Sequence, residues 1–125
     1  MEYLMIGIGG FLGANARYVV GGWITRQWGT QFPWGTFVIN VTGSFLLGLL
    51  MASLNTRPLA SPHYRLFFAV GFLGAYTTFS TFSYETLRLA QDQGLVAALL
   101  NITGSVVLGL VGVSLGGVCG RLFVK

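Results

Sequence analysis

Four long apolar stretches divide the chain, and short polar or turn-forming runs separate them. The stretches run from Tyr3 to Thr25, from Pro33 to Leu54, from Leu66 to Leu89 and from Leu95 to Leu122. A bilayer core of about 30 Å takes about 20 mostly apolar residues of helix, so each stretch predicts one transmembrane helix. The separators carry loop chemistry. Arg26 to Phe32 leads into Pro33, whose missing N–H costs nothing at a first helical position. Asn55 to His63 contains Pro58 and Pro62, and Gln91-Asp92-Gln93-Gly94 forms the third break. The ten-residue alternating segments of a β-barrel do not occur. The expected architecture is an all-α integral membrane protein, with residues 1–125 forming a single four-helix domain. Arg17 interrupts the first run and no base precedes it, a pattern unlike that of a cleaved signal peptide.

Composition narrows the class further. Charged residues make up 8% of the chain, against about 25% in soluble domains. Mean hydropathy is +0.73. Ten charged residues cannot clothe a soluble surface, which excludes soluble globular, disordered and nucleic-acid-binding readings. Cys119 is the only cysteine and His63 the only histidine, so no disulfide framework, Cys-based metal site or His-dependent triad is available.

Orientation is weakly specified. Four spans put both termini on one side, which collects Arg57, Arg65, Arg121 and Lys125; the other side collects Arg26 and Arg88. This four-to-two bias fits either a softly obeyed positive-inside rule or a chain inserted both ways. Trp23, Trp28 and Trp34 mark one membrane interface, and Tyr3 and Tyr64 the other.

The chain also echoes itself at an offset of 61 residues. GFLGA occurs at Gly10–Ala14 and at Gly71–Ala75, while NVTGSFLLGL (Asn40–Leu49) returns as NITGSVVLGL (Asn101–Leu110). Two readings stand: a two-helix repeat, 1–61 and 62–122, or the chance likeness of small-residue helix contacts. Gly9 with Gly13, and Gly112 with Gly116 and Gly120, have the four-residue spacing that lets helix backbones approach closely.

The polar residues inside the spans carry the candidate chemistry. Thr36, Asn40 and Ser44 share a face of the second helix, as Asn101 and Ser105 do on the fourth. Each set serves either interhelical hydrogen bonding or a polar path. The densest cluster is Tyr76-Thr77-Thr78-Phe79-Ser80-Thr81-Phe82-Ser83-Tyr84-Glu85 on the third helix. A continuous helix would align Thr77, Ser80, Thr81 and Tyr84 on one face and Phe79, Phe82 and Thr86 on another. Its β-branched residues and Gly74 lower helicity, so a break near the middle of this helix is expected. Broken helices can offer backbone carbonyls to an ion. Arg17 lies deep enough to be functional, although its stem could instead snorkel. Glu85 sits near the helix end, three residues before Arg88, where a surface pair is the plain expectation. No carboxylate lies mid-span, and amides, hydroxyls, a guanidinium and electropositive ring edges suit a small anion.

Three strings resemble the Fluc/CrcB fluoride channels of bacteria: GGFLGANARY (Gly9–Tyr18), PWGTFVINVTGSFLLG (Pro33–Gly48) and GFLGAYTTFSTFSYE (Gly71–Glu85). The resemblance covers nearly the whole chain. It implies a passive, fluoride-selective channel in the bacterial inner membrane, assembled as an antiparallel, dual-topology homodimer with two pores. It implies that Phe79 and Phe82 face fluoride with their ring edges, with Asn40, Ser80 and Thr81 along the path and Arg17 and Glu85 in polar vestibule positions. It implies a structural sodium ion at the dimer interface, held by backbone carbonyls of Gly74 and Thr77 from both subunits. The fourth helix matches less closely and offers Asn101 and Ser105. Two rivals remain: a small dual-topology multidrug or cation exporter, which would need a carboxylate within the first helix, and a non-transporting subunit that packs through its glycine faces.

Overall fold

The computed structural model describes residues 1–55 and 62–122. Arg57, Pro58 and Lys125, which entered the loop and charge arguments, lie outside the described residues. The elements are α1 (Glu2–Trp28), α2 (Trp34–Asn55), α3 (Pro62–Tyr64), a π-helix (Arg65–Leu73), α4 (Gly74–Tyr76), α5 (Phe79–Gln93) and α6 (Leu95–Leu122). Among the described residues, α1, α2, the Pro62–Gln93 series and α6 are the four helical spans long and apolar enough to cross a membrane. The protein is all-helical, and its outer surface stays apolar. Phe11, Leu100 and Leu110 are each more than half exposed, as expected of helices that face lipid.

Two boundaries differ from the sequence expectation. Pro33 precedes the second helix, and its carbonyl accepts the Phe37 N–H at 3.0 Å. The break predicted across Gln91–Gly94 shrinks to Gly94 alone, because α5 continues through Gln93 and α6 starts at Leu95. Gly94 has φ 96°, a left-handed conformation that glycine adopts without steric cost.

Helix pairing follows the small residues. α1 packs along the π-helix, and α2 packs along α6. A Cβ on Gly13 would collide with the Phe72 carbonyl, and one on Gly116 with the Phe45 carbonyl. Helix backbones touch there, which only glycine permits. The echoed segments are neighbours: Gly10 faces Gly71, and Ser44 faces Gly109. Buried Ile39, Leu73 and Tyr76 form the core between these pairs, with Phe72 stacked on Tyr76 at 6.0 Å. At the α1–α2 loop, Trp28 and Trp34 meet edge to face at 5.4 Å, an amphipathic cluster suited to a headgroup interface.

Candidate functional site: a polar cleft and a braced chain break

The third span does not run as one helix. Thr77 (φ −81°, ψ 159°) and Thr78 (φ −152°, ψ 121°) have extended backbone, whereas Gly74 stays helical at φ −62°, ψ −34°. The preceding π-helix closes i→i+5 bonds, as when the Gly74 N–H reaches the Ala69 carbonyl. Extended backbone in an apolar environment must find new partners, since each orphaned group costs free energy. Asn40 supplies them. Its Nδ2 donates to the Thr78 carbonyl at 3.1 Å, and its Oδ1 accepts the Thr78 N–H at 2.9 Å. A continuous helix would have returned that N–H to Gly74. The Thr78 hydroxyl then caps α5 by accepting the Thr81 N–H at 3.2 Å.

Asn40→Leu should therefore destabilise the protein by about 1–3 kcal/mol, because both Thr78 backbone groups lose their partner. At low pH, where the new side chain is protonated, Asn40→Asp should cost less, because the neutral acid still accepts the Thr78 N–H and donates to the Thr78 carbonyl. Thermal unfolding in detergent checks the order; equal midpoints for the two variants would contradict the bracing role.

Two concavities meet at this break. A cleft of about 740 Å³ reaches from the α1–α2 loop at Thr30 and Gln31 inward to Thr78, with Arg17, Thr36, Thr81 and Glu85 on its walls. A second cavity, about 310 Å³, is lined by Asn40, Ser44, Gly74, Thr77, Thr78 and Phe79. Thr78 borders both. The Thr36–Asn40–Ser44 face of α2 thus passes along both concavities.

Arg17 lies in the cleft, half-buried, in company with Glu85, Arg88 and Asp92. Glu85 does not pair with Arg88. Arg88 turns instead to Asp92 at 3.4 Å, one helical turn on and exposed, where such a pair contributes little. Glu85 shares the cleft with Thr36, and its Oε2 is buried with no hydrogen-bond partner among the described residues. Gln93 Nε2 donates to the Gln31 carbonyl and ties the α5 end to the first loop.

The expected hydroxyl row does not stay in line. Thr77 lies in the break and its hydroxyl donates to the Leu73 carbonyl at 2.9 Å, while Ser80, Thr81 and Tyr84 lie after it on α5. Only Thr81 of these three lines the cleft; Ser80 is exposed and 3.4 Å from the Thr78 hydroxyl. Phe79 is 80% exposed beside the second cavity, and its ring centre lies 5.9 Å from that of half-buried Phe82. Asn101 and Ser105 line neither concavity. Asn101 is buried between α5 and α6, where it donates to Thr86, and Ser105 lies 3.4 Å from Asn101 Oδ1. Sequence reasoning passed over Thr78 as a brace point and Thr86 as a buried partner; their neighbours lie 38 and 15 residues away.

Residues 4–117 match the family profile described as CrcB-like protein, Camphor Resistance (CrcB). The chain belongs to the CrcB family. Within that family, it is 52% identical over 124 residues to the fluoride-specific ion channel FluC of Acidobacterium capsulatum, covering 99% of both chains. It is 46% identical over 121 residues to FluC of Solibacter usitatus, covering 97% of this chain and 99% of the relative. A third relative, the fluoride-specific ion channel FluC 3 of Methanosarcina barkeri, is 46% identical over 113 residues, covering 90% of this chain and 85% of its own. The CrcB match takes in α1, α2, the interrupted third span and most of α6, so the brace, the cleft and the second cavity all fall within it.

Proposed function

We propose that this chain is a passive, fluoride-selective channel that lets fluoride leave the cytoplasm across the bacterial inner membrane and so relieves fluoride toxicity. One observation carries the reading: a polar cleft and a second cavity adjoin at Thr78, beside the exposed Phe79 ring. The names of the close relatives agree with it.

Fluoride is small and strongly hydrated, so it must exchange water for several donors without being held too tightly. Arg17 attracts the anion into the cleft, and the Thr81 hydroxyl and the amide hydrogen left on Asn40 Nδ2 follow. The ring edges of Phe79 and Phe82 offer further positive electrostatic surface. No nucleotide or catalytic group enters this path. Hydrogen fluoride crosses membranes as a neutral weak acid and dissociates inside; a passive pore then returns the anion outward.

In this reading the working unit is an antiparallel homodimer of chains inserted both ways, with two pores. Gly74 and Phe79 are exposed on the protomer and border the same cavity, which makes that face the natural seat of a second copy. A central sodium ion fits the donors there. The described residues contain no cluster of three His, Cys, Asp or Glu, so a cation would be held by neutral oxygens. Diverting the Thr78 N–H to Asn40 frees the Gly74 carbonyl from its helical partner. Gly74 and Thr77 would hold the ion by their carbonyls, and the ion would supply a fixed charge joining two copies.

Liposomes loaded with fluoride, with release read by an electrode, test the transport mode. Release should proceed with the proton gradient clamped at zero. A strict requirement for a proton gradient would favour the exporter reading. Topology is tested by adding two lysines beside Arg26. One trapped orientation alone should lose release and regain it when mixed with an oppositely trapped variant. Full activity of a single trapped variant would contradict the antiparallel dimer.

A further inference from the structure

We propose that Thr86 and Asn101 are positioning residues for Phe82, fixing the height and rotation of its ring through a buried hydrogen-bond chain between α6 and α5. The proposal rests on the reading of Phe82 as a ring that meets fluoride.

The chain is continuous. Asn101 Nδ2 donates to the Thr86 hydroxyl at 2.8 Å, and that hydroxyl donates to the Phe82 carbonyl at 2.6 Å. Asn101 is 1% exposed and Thr86 8%. Leu89 and Ala98, both buried, flank the pair on the same two helices. Thr86 could bond the Phe82 carbonyl unaided, as threonines inside helices do. The Asn101 amide adds a link to a second helix and selects one orientation of the Thr86 hydroxyl. Because α5 is separated from the rest of its span by the extended residues Thr77 and Thr78, its position is not inherited from α4. It must be set from outside. Asn40 fixes the break itself, and Asn101 fixes α5 one helical turn beyond Phe82. The expected place of Asn101 on the ion path is thereby replaced by a role between helices.

The test separates positioning from mere stability. Replacing both buried partners with apolar groups of similar shape can be nearly neutral, whereas removing one leaves the other unsatisfied. The variants are Thr86→Ser, Thr86→Val and Thr86→Val with Asn101→Leu, each purified as a dimer and placed in liposomes. The readouts are thermal midpoint, fluoride release per dimer and the fluoride-to-chloride release ratio. Thr86→Ser keeps the hydroxyl and should match the wild type. The double variant should match the wild type in midpoint yet release fluoride roughly tenfold more slowly, or with a roughly tenfold lower ratio, about the factor of one net hydrogen bond. A double variant with wild-type release and ratio overturns the proposal. So does Thr86→Ser behaving like Thr86→Val. Phe82→Ile is run beside them; wild-type release from it would remove the premise about the ring, a result distinct from any failure at Thr86.

Discussion

Phe79→Ile and Phe82→Ile proteins are expected to elute as the wild type does and yet release fluoride at least tenfold more slowly. Volume-conserving apolar exchanges cost under about 1.5 kcal/mol of stability, even in cores. Phe79 is 80% exposed on the protomer, so little packing within the chain is lost with its ring. What isoleucine cannot replace is the quadrupole. A phenyl ring is positive at its edge and attracts an anion there, whereas a branched alkyl group of similar size offers no such surface. The two rings lie 5.9 Å apart with planes tilted by 40°, close enough to act on one dehydrated ion in succession. Phe→Tyr keeps the ring and adds a hydroxyl, so its effect should fall between the two. Near-normal release from both isoleucine variants, eluting as the wild type does, would remove the rings from the path and leave Thr81 and Asn40 as its walls.

The second large effect concerns the fold. Gly116→Val and Gly48→Val should abolish correct assembly. A Cβ at Gly116 would enter the Phe45 carbonyl, and one at Gly48 would enter the Val113 carbonyl. Both obstacles are backbone, so no side-chain rotation relieves them. Overpacking a core costs about 1–3 kcal/mol even where side chains can shift, and here two helix backbones in direct contact would have to separate. Gly7→Ala is the matched control, because a Cβ there meets nothing within 4 Å. Alanine should be neutral or stabilising at that position by up to about 1 kcal/mol. Size-exclusion profiles and thermal midpoints of the three variants read the difference. Monodisperse, stable Gly116→Val protein would contradict the α2–α6 packing.

The sequence discloses some of this structure better than the rest, and the reasons are physical. Hydropathy counts residues against bilayer thickness, so the four spans are legible, with α6 matching Leu95–Leu122 at both ends. Glycine spacing is legible because only glycine allows backbones to touch; Gly9, Gly13, Gly112, Gly116 and Gly120 are all buried. The π-helix at Arg65–Leu73 is not legible, since its apolar residues would suit an α-helix equally. The Thr77–Tyr84 row failed for a related reason. Helical periodicity presumes an unbroken helix, and two extended residues reset the rotation of everything after them. The Asn40 brace depends on a contact across 38 residues, which local pattern cannot reveal. Gln91–Gln93 read as a loop because they are polar, yet polar residues also suit the last turn of a helix that ends at an interface. Spacing alone offers Arg88 two carboxylates, Glu85 three residues before it and Asp92 four after it, and the structure gives the pair to Asp92.

The most direct measurement loads one set of liposomes with equal concentrations of fluoride and chloride and follows both ions through the same protein. With potassium permeability supplied and the proton gradient clamped, fluoride should leave rapidly while chloride stays at the level of protein-free vesicles. Chloride release at the fluoride rate would contradict a fluoride-selective channel.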